Sequence, residues 1–218
     1  LGKKSINDKK MVEFVKTFFE SNDPIASSLP TRFPFRRRFE HCLRCSIWAR
    51  RIALAEGADA EIAGISALFH DIGKSKDEFI QEHGMVGAEI CDDYLKSISY
   101  YKNKRAQIVD IIRNHSQHNI EKDISLEAKI VSNADLLDET GAIAVLWDAM
   151  ACAGGDAPSY EKAYDRIVKD YDRLRTGLVD RLCTPTAKQI LMKRLSFIET
   201  FLKNLEDELG RNGVNRGK

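Results

Sequence analysis

Apolar residues recur at helical spacing along almost the whole chain. Met11, Val12, Val15, Phe18 and Phe19 fall on one face at intervals of three and four, the signature of an amphipathic helix. That helix is expected to end near Ser21-Asn22-Asp23-Pro24, where proline cannot continue it. Pro24, Pro30 and Pro34 mark an extended connector that carries the basic run Arg36-Arg37-Arg38. The pattern predicts a second helix from about Arg38 to just before Gly57, and a third, N-capped by Asp59, to about His70. Further helices are predicted over 83–97, 104–115, 126–152, 159–176 and 186–208. Their apolar positions include Ile108, Ile111 and Ile112, and later Leu191, Leu195, Phe197, Ile198, Phe201 and Leu202. Breaks are marked by Gly154-Gly155 with Pro158 and by Thr184-Pro185-Thr186. No segment alternates with a period of two, and no internal repeat is visible. The expected architecture is all-α: an N-terminal helix and connector over 1–35, one helical domain over 36–209, and a polar tail over 210–218.

Composition narrows the partners. The 218 residues are 43% hydrophobic and 31% charged, with a formal net charge of +1, ordinary for a globular protein. Near-neutrality argues against a mainly electrostatic nucleic-acid binder, which needs a basic excess to displace counterions. No apolar run approaches the roughly 20 residues of a membrane span, and the N-terminus lacks a secretory apolar core. Five scattered cysteines do not form a disulfide framework. The expectation is a cytoplasmic protein with free thiols and neither membrane nor nucleic acid as partner.

Candidate chemistry lies in the histidines. His41, His70, His83, His115 and His118 are the full set. His70 and Asp71 are adjacent at the end of an apolar run, where Gly73 is expected to let the chain turn so that both side chains converge. The dipeptide alone favours a capping or core histidine beside a surface aspartate. Its context changes that reading. His41 lies on the preceding helix, and Asp135 is an acid inside an otherwise apolar helical stretch, an expensive position unless paired or metal-bound. Three helices would each bring donors to one interior point, as helical bundles do when they build metal sites. Cys42-x-x-Cys45 lacks a second cysteine pair and reads as two small apolar residues on one helix face.

The ordered set His41, His70-Asp71 and Asp135, with Leu68-Phe69-His70-Asp71-Ile72-Gly73-Lys74 at its centre, resembles the HD superfamily of metal-dependent phosphohydrolases. The resemblance covers residues 39 to about 140 and implies an HD-domain helical bundle with additional C-terminal helices. It implies a principal metal on His41, His70, Asp71 and Asp135. The segments Asp135 to Ala144 and Leu182 to Lys188 resemble small HD proteins that include mononuclear nucleotide pyrophosphohydrolases. By contrast, Glu82-His83-Gly84-Met85 and Arg113-Asn114-His115-Ser116 resemble dinuclear members, in which Asp71 would bridge to a second ion on His83 and His115.

Two histidines and two carboxylates suit Mn, Fe, Co, Ni or Zn, with Mg less favoured by imidazole. One ion is expected and a second is left open. A bound ion lowers the pKa of its water and polarises phosphorus. Asp71, Lys74 and Glu78 are the candidate catalytic groups, with Asp77 beside Glu78. Arg38, Arg44 and Lys74 are the candidate phosphate-binding groups. The expected reaction is hydrolysis of a phosphoester or phosphoanhydride in a small, nucleotide-like phosphorylated substrate, by a chain that could form a homodimer. The alternatives are a dinuclear-iron oxygenase, which needs His83 and His115, and a non-catalytic nucleotide-binding signalling module.

Overall fold

A computed structural model of the chain describes residues 2–22, 37–75, 82–116 and 124–211, with the side chains of 2–7 left out. The described residues hold α1 (Gly2–Asn22), α2 (Arg38–Glu56), α3 (Ala60–Phe69), α4 (His83–Ser97), α5 (Lys102–Asn114), α6 (Leu126–Asp138), α7 (Ala142–Ala153), α8 (Tyr160–Gly177) and α9 (Pro185–Glu208). Short 3-10 turns cover Ile72–Ser75 and Val179–Arg181. No strand occurs among the described residues, and no helix there is long and apolar enough to cross a membrane. The chain is all-α.

Two compact units divide the chain, Leu1–Asp135 and Leu136–Lys218. In the first, α2 packs along α3, α4 along α5, and α3 against α5. α3 is the centre of this unit: every residue from Ile62 to Phe69 is buried. Its N-terminus is set by Asp59, whose carboxylate accepts hydrogen bonds from the Glu61 and Ile62 amides. α1 covers one side with Met11, Val15 and Phe19, and Phe14 stacks on Tyr94 at 4.1 Å between ring centroids. Each such apolar side chain stabilises the unit by about 1.5–3 kcal/mol on burial. α2 ends where Gly57 takes a left-handed conformation, its φ at 75°, which costs glycine nothing.

In the second unit, α8 packs on α7 and α9. Leu191, Leu195, Ile198 and Leu202 form the buried stripe of α9, whereas Phe197 is 47% exposed and does not belong to it. The predicted continuous helix over 126–152 is two helices. Gly141, with φ 69°, separates α6 from α7, and the apolar period runs through the break without marking it. Leu137 O, a terminal carbonyl of α6, accepts from Arg194 Nη1 and from Thr140 Oγ1. The Arg194 side chain lies where a Cβ on residue 141 would project. A single glycine, an arginine and a threonine thus end a helix that periodicity alone would extend.

Candidate metal centre

Five helices of the first unit deliver one side chain or pair each. His41 lies in the second turn of α2, His70 caps the C-terminus of α3, and Asp71 follows it. His83 opens α4, His115 caps α5, and Asp135 lies on α6. His41, His70 and Asp71 are buried, at 5%, 1% and 2% exposure. The Asp135 side chain is 32% exposed and gives the cluster its solvent-facing edge.

The predicted donors converge. His41 Nε2 is 3.2 Å from His70 Nε2, 3.3 Å from Asp135 Oδ1 and 3.8 Å from Asp71 Oδ2. His70 Nε2 is 3.6 Å from Asp135 Oδ1 and 3.7 Å from Asp71 Oδ1. A second pair, His83 and His115, meets Nε2 to Nε2 at 3.1 Å. These nitrogens lie 3.7 and 3.6 Å from Asp71 Oδ1. Asp71 therefore stands between two histidine pairs. Donors held about 2.1 Å from one ion, at tetrahedral or octahedral angles, are roughly 3.0–3.4 Å apart, close to the tighter spacings here.

Ring orientation strengthens the fit. His70 Nδ1 is 2.7 Å from Ala67 O, and His115 Nδ1 is 2.7 Å from Ile112 O. A backbone carbonyl only accepts, so each Nδ1 carries the proton and each Nε2 turns toward the cluster as a potential ligand. The helix C-termini that supply these carbonyls thereby set the tautomer.

The cluster attracts positive charge. Burial works against ionisation of Asp71, yet His70, His115, Lys74 and His41 hold its carboxyl well below the usual range. Asp135 is likewise opposed by burial and held well down by His41 and His70. Burial disfavours the charged form of His70, but Asp71 and the hydrogen bond to Asp135 raise its pKa well above that of ordinary imidazole. A buried and a half-buried carboxylate with inward nitrogens bind a proton or a metal cation for the same electrostatic reason.

Two of the predicted phosphate-binding cations also reach Asp71. Lys74 Nζ is 2.7 Å from Oδ1 and Arg38 Nη1 is 3.1 Å from Oδ2. Arg44 is half-buried one turn along α2 from His41. Glu78, Asp77, Arg36 and His118 lie outside the described residues.

Gly73 has a role different from the expected one. It is not in a positive-φ conformation; it lies where a Cβ would overlap the carbonyl oxygen of His83 and come within 2.9 Å of the Gly87 amide. The glycine lets the 3-10 turn touch the backbone of α4, bringing His83 to Asp71. The sequence pattern places Cys42 and Cys45 in the core. Both are fully buried, but Cys45 Sγ lies 3.8 Å from each ring nitrogen of His41, and Cys42 interacts with His70. The one signal in the sequence for the first contact is the i, i+4 spacing of Cys45 from His41.

Residues 38–140 match the family model of the HD domain. That segment, just under half of the chain, carries the HD-domain match. The chain is 36% identical over 99 residues to ribonuclease Y of Chloroflexus aurantiacus, covering 45% of this chain and 18% of that one. The chain thus matches less than a fifth of the ribonuclease. The crystal structure of an HD-superfamily hydrolase from Bacillus thuringiensis has a TM-score of 0.67 and 24% identity, covering 95% of this chain and 98% of that one. Bacillus subtilis YpgQ in complex with ADP has a TM-score of 0.60 and 22% identity, covering 90% and 97%. At these identities the two structures establish the HD fold. The converging donors all lie within the HD segment.

Proposed function

We propose that the chain is a metal-dependent phosphohydrolase acting on a nucleotide-like substrate. The observation that carries this reading is the Asp71 carboxylate placed between the His41–His70 and His83–His115 pairs. In this reading His41, His70, Asp71 and Asp135 hold the principal divalent ion, and Asp71, His83 and His115 hold a second. The donor set favours Mn, Fe, Co, Ni or Zn. Bound there, the ions would supply an activated water and charge compensation at phosphorus.

The chain's own groups do the rest. Ala67 O and Ile112 O orient His70 and His115. Lys74 and Arg38 already carry positive charge within 3.1 Å of Asp71, where phosphate oxygens can be drawn in and held by guanidinium and ammonium donors. Arg44 is assigned to substrate from its place on α2, and Glu78 to proton transfer from its place after the HD turn. The nucleotide assignment draws on the ADP held by YpgQ, a protein of the same fold. A small soluble substrate in the cytoplasm is the setting we assign to this chemistry.

The test compares the wild-type chain with Asp71→Ala and His70→Ala after loading with Mn or Fe. Substrates are nucleoside triphosphates, monophosphates, dinucleotides and a short oligoribonucleotide. The expected result is phosphate or pyrophosphate release by wild type and its loss in both variants, with helical content unchanged. Undiminished turnover by metal-free Asp71→Ala would overturn the proposal, as would substrate-dependent oxygen consumption without hydrolysis.

A further inference from the structure

The two ion positions differ in charge. His41 and His70 meet two carboxylates, Asp71 and Asp135. The group formed by Asp71, His83 and His115 has Asp71 as its one acidic donor among the described residues. Both imidazoles of that group face Asp71 Oδ1, at 3.7 and 3.6 Å. The same oxygen already carries a cation: Lys74 Nζ lies 2.7 Å from it, on a side chain 21% exposed. The backbone fixes this ammonium in place. Ile72–Ser75 form a 3-10 turn, and Lys74 N donates to Asp71 O at 2.9 Å. With three residues per turn, side chains at i and i+3 eclipse, so the ammonium is held over the carboxylate. Arg38 Nη1 adds a further positive charge 3.1 Å from Oδ2.

We propose that Lys74 holds the second ion position weak until a phosphate group arrives, so that the second ion and the phosphate bind as a pair. The inference rests on the metal-centre reading above and adds the order in which the site fills. Lys74 offsets the single negative charge at Oδ1, and a divalent ion placed there with two neutral imidazoles leaves an excess of positive charge beside a carboxylate whose side chain is 3% exposed. Like charges a few ångströms apart repel strongly where water is largely excluded. A phosphate dianion removes that excess, and its oxygens accept from the ammonium in place of Asp71. The first position has Asp135 as well as Asp71 and fills without phosphate. By linkage, the second ion raises phosphate affinity by the same factor that phosphate raises the affinity of the ion.

The test titrates the metal-free protein with Mn(II), following the free ion by electron paramagnetic resonance, with and without inorganic phosphate. Wild type is compared with Lys74→Met, which keeps the length of the side chain and removes its charge, and with Lys74→Arg, which keeps the charge. Circular dichroism verifies that each variant is folded. The expected result for wild type is one tight ion and one weak one, the weak one tightened about tenfold or more by phosphate. In Lys74→Met without phosphate the second ion should bind about tenfold more tightly than in wild type, and phosphate should then change its affinity less than about threefold. Lys74→Arg should keep the wild-type pattern. A second ion that wild type holds equally well with and without phosphate, or that never binds, would overturn this inference and leave the metal centre standing. So would a folded Lys74→Met protein that holds the second ion no more tightly than wild type. A wild-type chain that binds no manganese under either condition would overturn both.

Discussion

Replacing Gly73 by alanine tests whether close backbone approach assembles the second histidine pair. A Cβ on residue 73 would overlap His83 O and lie 2.9 Å from Gly87 N and 3.0 Å from the His83 carbonyl carbon, whereas ordinary contact begins near 3.4 Å. All three are backbone atoms, so no rotamer change relieves the overlap, and the first turn of α4 has to retreat by at least about half an ångström. His83 leads that turn, and its Nε2 is 3.7 Å from Asp71 Oδ1. Overpacking of this kind costs about 1–3 kcal/mol, and for a chain of this size that lowers Tm by roughly 2–4 °C per kcal/mol. His41, His70 and Asp135 are carried by other elements and are not displaced by α4. Thermal unfolding followed by circular dichroism, with metal per chain measured by elemental mass spectrometry after Mn loading, reads both effects. The expected outcome is a Tm lowered by about 2–12 °C and a fall from two bound ions to one. Gly57→Ala is the comparison: it strains a positive φ with nothing within 4 Å of its Cβ, so it should lower Tm without changing metal content. A Gly73→Ala protein with wild-type Tm and two ions would refute the argument.

Other expectations follow from other parts of the molecule. Burial, then Asp170, raises the Asp148 carboxyl to about 6 against the pull of Arg166. The folded chain therefore binds this proton more tightly than the unfolded one, and the stabilisation is lost as pH rises from about 4 to 6. A difference of that size between the folded and unfolded chains corresponds to about 3 kcal/mol, and we expect about 1–2 because Asp170, whose charge helps to raise it, is itself partly exposed and solvent-screened. The difference between Tm–pH curves of wild type and Asp148→Asn should show that slope, and parallel curves would contradict it. In the metal-free protein the depressed carboxyls of Asp71 and Asp135 contribute stability that is present above the ordinary carboxylate range and lost as pH falls toward their folded values. Acid denaturation followed by circular dichroism should therefore be less pronounced in Asp135→Asn. Arg194→Ala removes donors from Leu137 O and Thr140 Oγ1 and should cost about 1–3 kcal/mol in urea unfolding. Manganese at about 100 times its Kd should stabilise the folded chain by about 2.7 kcal/mol, and an unchanged Tm on loading would count against a metal centre.

Periodicity and local chemistry make the all-α class legible, along with most helix limits. The helix predicted over 83–97 has those bounds in the structure, and Asp59 is recognisable as a cap because N-capping depends only on residues nearby. His41, His70, Asp71 and Asp135 can be named because an ordered set of metal-type donors on apolar helices is costly without a shared purpose. The sequence alone leaves open whether His83 and His115 join them. That depends on where the ends of α4 and α5 come to rest, and the backbone contact at Gly73 decides it over distances that no local pattern encodes. The break at Gly141 is hidden for a similar reason: the residue that occupies its Cβ space and helps cap α6, Arg194, lies 53 positions further along the chain. Cys45 carries the same lesson, since a buried cysteine looks the same in sequence whether its neighbours are methyl groups or imidazoles. Local order determines which helices form and which donors they carry. Packing determines which donors meet, because a few tenths of an ångström between backbones decide whether two side chains can share one ion.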